Sequence, residues 1–422
     1  MSVFGVFAVL MTATAVLAWF NERFLRLPST IGVMAAALFV SLMLIVAAQL
    51  GLGAERWAEE LLGQIDFNAV LMQGMLSFLL FAGALHVDLN RLLERKWSIL
   101  SLATIGVVLS TFLMGGLFYL LLRLFDIQIP FIYALLFGAL ISPTDPIAVM
   151  GVLRGAKAPK RLETMIIGES LFNDGVGVVV FSVILGIAAA GHDVSALEVG
   201  KLFLEEAVGG VFYGLALGYV AYRMLRSVDQ HTVEILITLA LVMGGYYLAG
   251  VLHTSGPIAM VVAGLFIGNH GRVFGMSEGS RQYLDNFWEL TDEILNALLF
   301  AIIGFEILVL DPEPRLLPIV ALTVPLALAV RFVCVGAPIS LLARVRDYPP
   351  GTVALMTWGG LRGGISIALA LAIPASPYRD VIVVVTYGIV VFSILVQGLT
   401  VGRAVRWVIA RIESRDASRS AV

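Results

Sequence analysis

Apolar blocks of about 20 residues recur along the whole chain, and each is long enough to cross a hydrocarbon layer ~30 Å thick. That repetition leaves few folds open. A soluble chain of 422 residues could bury a large core, but it would still need a charged surface, and only 14% of these residues are charged against 59% apolar. The reading is an all-α polytopic membrane protein. Its spans lie at roughly 2–20, 31–50, 67–87, 98–122, 131–153, 164–190, 203–226, 232–252, 255–271, 287–310, 315–343, 352–373 and 380–405, about thirteen in all. The eighth and ninth are separated only by a tight turn at His253 and Thr254. A net charge of −3 gives no basis for nucleic-acid binding. A single cysteine, Cys334, forms no internal disulfide, and no Cys/His metal spacing is present. The first twenty residues carry no Lys or Arg ahead of their apolar run, unlike a cleaved signal peptide.

Charge sets the orientation. With an external N-terminus, twenty Lys and Arg fall in segments on the cytoplasmic side and five on the other, leaving Arg331 and Arg362 inside spans. The C-terminus is then cytoplasmic, with a short polar tail at 412–422. Two spans are interrupted. The fifth holds Pro143-Thr144-Asp145-Pro146, and the twelfth holds Gly359-Gly360-Leu361-Arg362-Gly363-Gly364. Interrupted helices at matching places are a mark of inverted repeats. Helices 1–6 and 8–13 would be the two copies, and helix 7 the connector.

The chemistry gathers around those interruptions. Two prolines remove N–H donors and favour extended backbone. Such backbone is tolerated in a bilayer only where protein or a water-filled cavity covers it. Helix 6 follows with Gly168-Glu169-Ser170-Leu171-Phe172-Asn173-Asp174-Gly175. Carboxylates at membrane depth are expensive and usually mark ion or proton paths. Ser170 and Asp174 are four apart and share a face, so they can reach one ion together, while Glu169 and Asn173 share a neighbouring face. Hydroxyl, carboxylate and carbonyl oxygens suit a hard cation. The plainer alternative is a polar helix–helix contact. Thr144 can offer a carbonyl and a hydroxyl, and Asp145 can either cap the following half-helix or bind the ion directly. Arg362 needs a partner, and Glu169 is the acid expected to pair with it. The candidate partners of Arg331 are Glu306 and Asp292. Asp292 and Glu293 sit near the cytoplasmic end of their expected span and read as solvated, Glu306 as a mouth-lining residue. Asp66, Glu55, Glu59 and Glu60 read as surface of an external loop, and His86 and His253 as interfacial. Gly138, Gly151, Gly168, Gly175 and Gly177 read as points of close helix approach. No strand precedes them, so a nucleotide loop is excluded.

The three polar segments, the third beginning at Trp358, resemble the signature segments of the NhaP-like branch of the cation:proton antiporter-1 family, the sodium/proton antiporters. Phe287-Trp288-Glu289 and the stretch after it are similar to a further family segment. The resemblance covers essentially the whole chain. It implies a homodimer in a bacterial inner membrane, whose core bundle (98–190 and 315–405) moves against a dimerisation bundle (1–97 and 232–310), with 203–226 as linking helix. It implies that Asp174 exchanges cation and proton, that Thr144, Asp145 and Ser170 complete the cation site, and that Asn173, Glu169 and Arg362 support it. The Asn173–Asp174 pair resembles that of the electroneutral branch. One departure stands out. Family members often carry an acid in helix 3 where this chain has Ala82. No cofactor is implied; Na⁺ or Li⁺ and H⁺ are cargo. Exchange at a single carboxylate predicts one-for-one transport that depends on pH through proton competition. The rival readings are K⁺/H⁺ exchange by the same machinery, an intramembrane aspartyl protease with Asp145 and Asp174 as its dyad, and a cation channel.

Overall fold

The structure is a computed structural model and describes residues 3–50, 67–156, 158–190, 196–272, 276–310 and 313–420. Among these residues every regular element is helical. Eight helices are long and apolar enough to cross a membrane, and Val70–Leu85, Phe131–Ile141 and Gly256–Gly271 are shorter apolar helices. Asp66, Glu55, Glu59 and Glu60 lie outside the described residues, as do Arg56 and Lys157 of the charge count.

In chain order the helices are α1 (Val3–Phe20), α2 (Ser29–Gln49), α3 (Leu76–Leu85) and α4 (Val107–Leu124). Next comes α5 in two pieces, α5a (Phe131–Ile141) and α5b (Ile147–Gly155), and then α6 (Lys160–Ala190). They are followed by α7 (Ala196–Leu225), α8 (His231–Val251), α9 (Gly256–Phe266) and α10 (Glu278–Phe305). The chain finishes with α11 (Leu317–Leu342), α12 as α12a (Thr352–Trp358) and α12b (Gly364–Leu371), and α13 (Arg379–Phe392). A wide turn at Ser393–Gly398 carries α13 into Leu399–Ser420.

Local chemistry explains the ends. His253 turns the chain between α8 and α9 with φ of 52°. Ser255 then caps α9, its hydroxyl accepting the Ile258 N–H at 3.3 Å, and Pro257 sits in the first turn, where its missing N–H costs nothing. The start of α10 corrects the sequence expectation. Its apolar stretch begins near residue 287, but the helix begins at Glu278, because the Ser277 hydroxyl accepts the Ser280 N–H and caps a polar first turn. Asp292 is therefore the fifteenth of 28 residues, in mid-helix rather than at an end.

Two sets of helices emerge from the packing. α4 lies along α5a and α11; α5a also meets α6 and α12b, and α13 packs on α11 and α12b. In the other set α10 packs on α1, α2 and α3, and α9 on α3, α7 and α8. α6 touches both sets, reaching α9 and α7 on its far side. α4 and α5a pack closely, and a Cβ on Gly138 would collide with the Thr111 carbonyl. A Cβ on Gly168 would press into Ile99, one on Gly175 into Ile258 and one on Gly177 into Pro143, so these glycines do bring helices together. Gly151 does not: nothing described lies within 4 Å of the Cβ it would carry.

Candidate ion site at the crossing of two broken helices

α5a ends at Ser142, whose hydroxyl turns back to the Gly138 carbonyl at 2.7 Å. Neither Pro143 nor Pro146 can donate to a helix ladder, and the chain between them runs extended. There it meets the break in α12. The Asp145 N–H donates to the Leu361 carbonyl at 2.8 Å, forming an isolated antiparallel bridge. The two interruptions read from Pro and Gly therefore cross each other. Gly363 makes room for this crossing, since a Cβ there would stand 2.5 Å from Asp145 Oδ2. Its backbone is extended, so the need for glycine is steric rather than conformational.

Asp145 takes the capping role. Its Oδ1 accepts the Ile147 N–H at 2.9 Å, at the start of α5b. Its other oxygen faces the start of α12b, so the carboxylate sits where two half-helices present their positive ends. The cap occupies only part of the acceptor capacity of a carboxylate, which leaves the ligand role open as well.

α6 supplies the opposite wall. The Ser170 hydroxyl donates to the Thr144 carbonyl. The Asn173 amide grips Thr144 from both sides: Nδ2 donates to Oγ1 at 2.8 Å, and Oδ1 accepts the Thr144 N–H at 3.3 Å. Asn173 is thus a positioning residue that fixes the one non-proline position before Asp145. Asp174, the next residue, is only partly buried. No described residue donates a hydrogen bond to it, and the charges that bear on it are the carboxylates of Asp145 and Glu169. A carboxylate placed in this way keeps its oxygens available to a cation or a proton.

The arginines overturn one expectation. Glu169 does not pair with Arg362. It is held by Arg331 of α11, with Nη1 to Oε1 at 2.5 Å and Nη2 to Oε2 at 2.8 Å, a two-pronged contact that suits guanidinium and carboxylate. Arg331 also reaches the Met356 carbonyl at 3.3 Å, so its partner is neither Glu306 nor Asp292. Arg362 instead turns toward the end of α5a. Its Nη1 donates to the Ser142 and Pro143 carbonyls, each at 2.8 Å, and its backbone N–H donates to Ser393 Oγ at 2.8 Å. The physical reason is that the helix break exposes carbonyls with no N–H partners, and a cation at a helix C-terminus satisfies them. Sequence reading pairs Glu169 with Arg362 and leaves Arg331 to Glu306 or Asp292, because spacing along the chain does not say which helices pack together. Ser393 also went unremarked, because a lone serine in an apolar span gives no signal of the backbone it will bind.

Thr144, Asp145, Glu169, Ser170, Arg331 and Gly360 line a cavity of about 10 Å³, room for one water-sized occupant. Asp174 does not line it. Arg331 and Glu169 balance one another in its wall, while Asp145 and Asp174 have no basic partner among the described residues. Ala82 is buried within α3 and supplies no acid.

The transmembrane sodium/hydrogen exchanger family matches residues 8–407. This chain belongs to that family. As a sodium/hydrogen exchanger family member it is a membrane transporter and not an enzyme, which removes the protease reading. It is 52% identical over 415 residues to the Na⁺/H⁺ antiporter NhaP of Pseudomonas aeruginosa, covering 96% of each chain. It is 35% identical to the Na⁺/H⁺ antiporter NhaH of Halobacillus dabanensis, over 79% of this chain and 82% of that one. The solved sodium proton antiporter MjNhaP1 of Methanocaldococcus jannaschii has the same fold, with a TM-score of 0.74 at 19% identity over 96% of this exchanger and 97% of that chain.

Proposed function

We propose that the protein exchanges Na⁺ or Li⁺ for H⁺ across a bacterial inner membrane, one for one, at a site shared by cation and proton. The observation that carries this reading is the crossing itself. It sets Asp145, Thr144 and Ser170 around one point, with Asp174 beside them and without a hydrogen-bond donor among the described residues. Membership of the exchanger family and likeness to the NhaP and NhaH antiporters support the choice of cargo. Asp174 binds the cation when ionised and releases it on protonation. Either occupant neutralises the carboxylate, and a bare carboxylate is too costly to carry through an apolar gate. That penalty enforces exchange. Asp145 and the oxygens of Thr144 and Ser170 complete the cation's shell. Asn173 holds Thr144 in place, and Arg362 and the Glu169–Arg331 pair hold the broken helices. The set formed by α4, α5, α6, α11, α12 and α13 moves against the set containing α1–α3 and α8–α10, giving alternating access. The protein works as a homodimer with its N-terminus outside and its C-terminus in the cytoplasm.

The test is purified protein in sealed vesicles. An imposed Na⁺ gradient should drive opposite proton movement, read by an internal pH dye, and Asp174→Ala should abolish it. Exchange that persists in Asp174→Ala would remove this residue from the mechanism. Protons and Na⁺ compete, so lowering the pH should raise the Na⁺ concentration needed for half-maximal exchange, approaching about tenfold per pH unit once the site is mostly protonated. An Na⁺ requirement that stays flat across three pH units would contradict a shared site.

A further inference from the structure

Among the described residues, Asp292 is an acid close to the crossing that the exchange site does not use. It lies in mid-helix on α10, is only partly exposed, and forms no ion pair with any described residue. Both mid-span arginines are engaged elsewhere, Arg331 by Glu169 and Arg362 by backbone carbonyls. The Asp292 carboxylate is near enough to Asp145 for their charges to interact. One turn further on, Asn296 is only 2% exposed, and its side chain bears on the Asp292 carboxylate. Asn296 Oδ1 has no hydrogen-bond partner among the described residues. A buried acceptor without a donor is uncommon and needs an explanation. Leu299, one turn beyond, abuts Gly364 at the head of α12b. Residues 292, 296 and 299 follow helical spacing and form one face. Asn296 therefore lies on the strip of α10 that runs from Asp145 to the α12 break.

We propose that Asp292 and Asn296 form a capture station for a monovalent cation, set on the opposite helix set from the exchange carboxylates. The inference rests on the exchange reading above. Two carboxylates close enough to interact in a poorly screened interior repel, and a cation between them relieves that repulsion. The unpartnered amide oxygen adds a neutral ligand of the kind hard cations accept. Asp292 thus raises the local cation concentration at the site without taking part in the exchange of the proton.

The experiment compares wild type, Asp292→Asn, Asp292→Glu and Glu293→Gln in the same vesicles, reading the KM and Vmax for Na⁺-driven proton movement. Removing the charge should raise the KM for Na⁺ roughly tenfold with Vmax within about twofold of wild type. Asp292→Glu should restore the KM, and Glu293→Gln, on an exposed neighbouring position, should leave it unchanged. If Asp292→Asn fails to fold, Asp292→Ser carries the same comparison. An unchanged KM, or a rise that Asp292→Glu does not reverse, overturns the capture station. Wild-type vesicles that show no Na⁺-driven proton movement would instead sink the parent reading, so the two failures are distinguishable.

Discussion

At the residue scale, the Glu169–Arg331 pair has the sharpest consequence. Both side chains are buried, so Glu169→Gln leaves a guanidinium charge without its counter-ion. Breaking such a pair from one side costs about 3–5 kcal/mol. The unfolding midpoint of the detergent-solubilised variant should fall accordingly. Replacing both partners with apolar residues, Glu169→Leu with Arg331→Met, should cost less than either single change, because no charge is stranded. A double variant as unstable as the sum of the singles would show that the two groups do not act as a pair. The identities of the residues at this site were legible in the sequence, since two acids, a hydroxyl and an amide within six residues have few uses in a membrane. Their pairing was not. Glu169 lies 162 positions from Arg331 and further still from Arg362, and only the folded helices decide which of them meet.

At the element scale, the breaks were readable because Pro143, Pro146 and the glycines at 359, 360, 363 and 364 each remove something a helix or its neighbours require. That the two breaks would touch was not readable, because the contact is made by main-chain atoms that every residue carries. The reach of α10 escapes hydropathy for a related reason. Hydropathy marks where a helix is greasy, while its true start is set by the Ser277 cap. The crossing makes Gly363→Ala informative. Its backbone suits alanine, yet the added Cβ would push Asp145 aside. Transport should drop roughly 10- to 100-fold, as displaced catalytic groups commonly cause, while helix content by circular dichroism stays the same. A Gly363→Ala protein with full exchange would mean that the position of Asp145 tolerates displacement. Thr144→Val removes the acceptor of Asn173 Nδ2 and should lower stability by about 1–3 kcal/mol, whereas Thr144→Ser should largely keep it.

On the scale of the whole molecule, α6 is the shared wall between the two helix sets, and the proposed motion must slide along its contact with α9. Gly175 and Ile258 meet there, the Cβ that Gly175 would carry lying 3.7 Å from the Ile258 Cα. That closeness puts the two backbones within bridging reach of each other. With the single native cysteine, Cys334, first changed to serine, Gly175→Cys with Ile258→Cys should cross-link under oxidation and stop exchange, and a reductant should restore it. Undiminished exchange in fully cross-linked protein would rule out relative movement at this contact.

The hydrogen bond from Asp145 N–H to the Leu361 carbonyl has a consequence of another kind. Because it is written in atoms common to all amino acids, ordinary substitution cannot delete it; only proline at 145 would. Side chains around the joint can drift, and with them the preferred cargo, while the joint endures. A lineage built on this frame is free to retune what it carries without having to reinvent the place where it is carried.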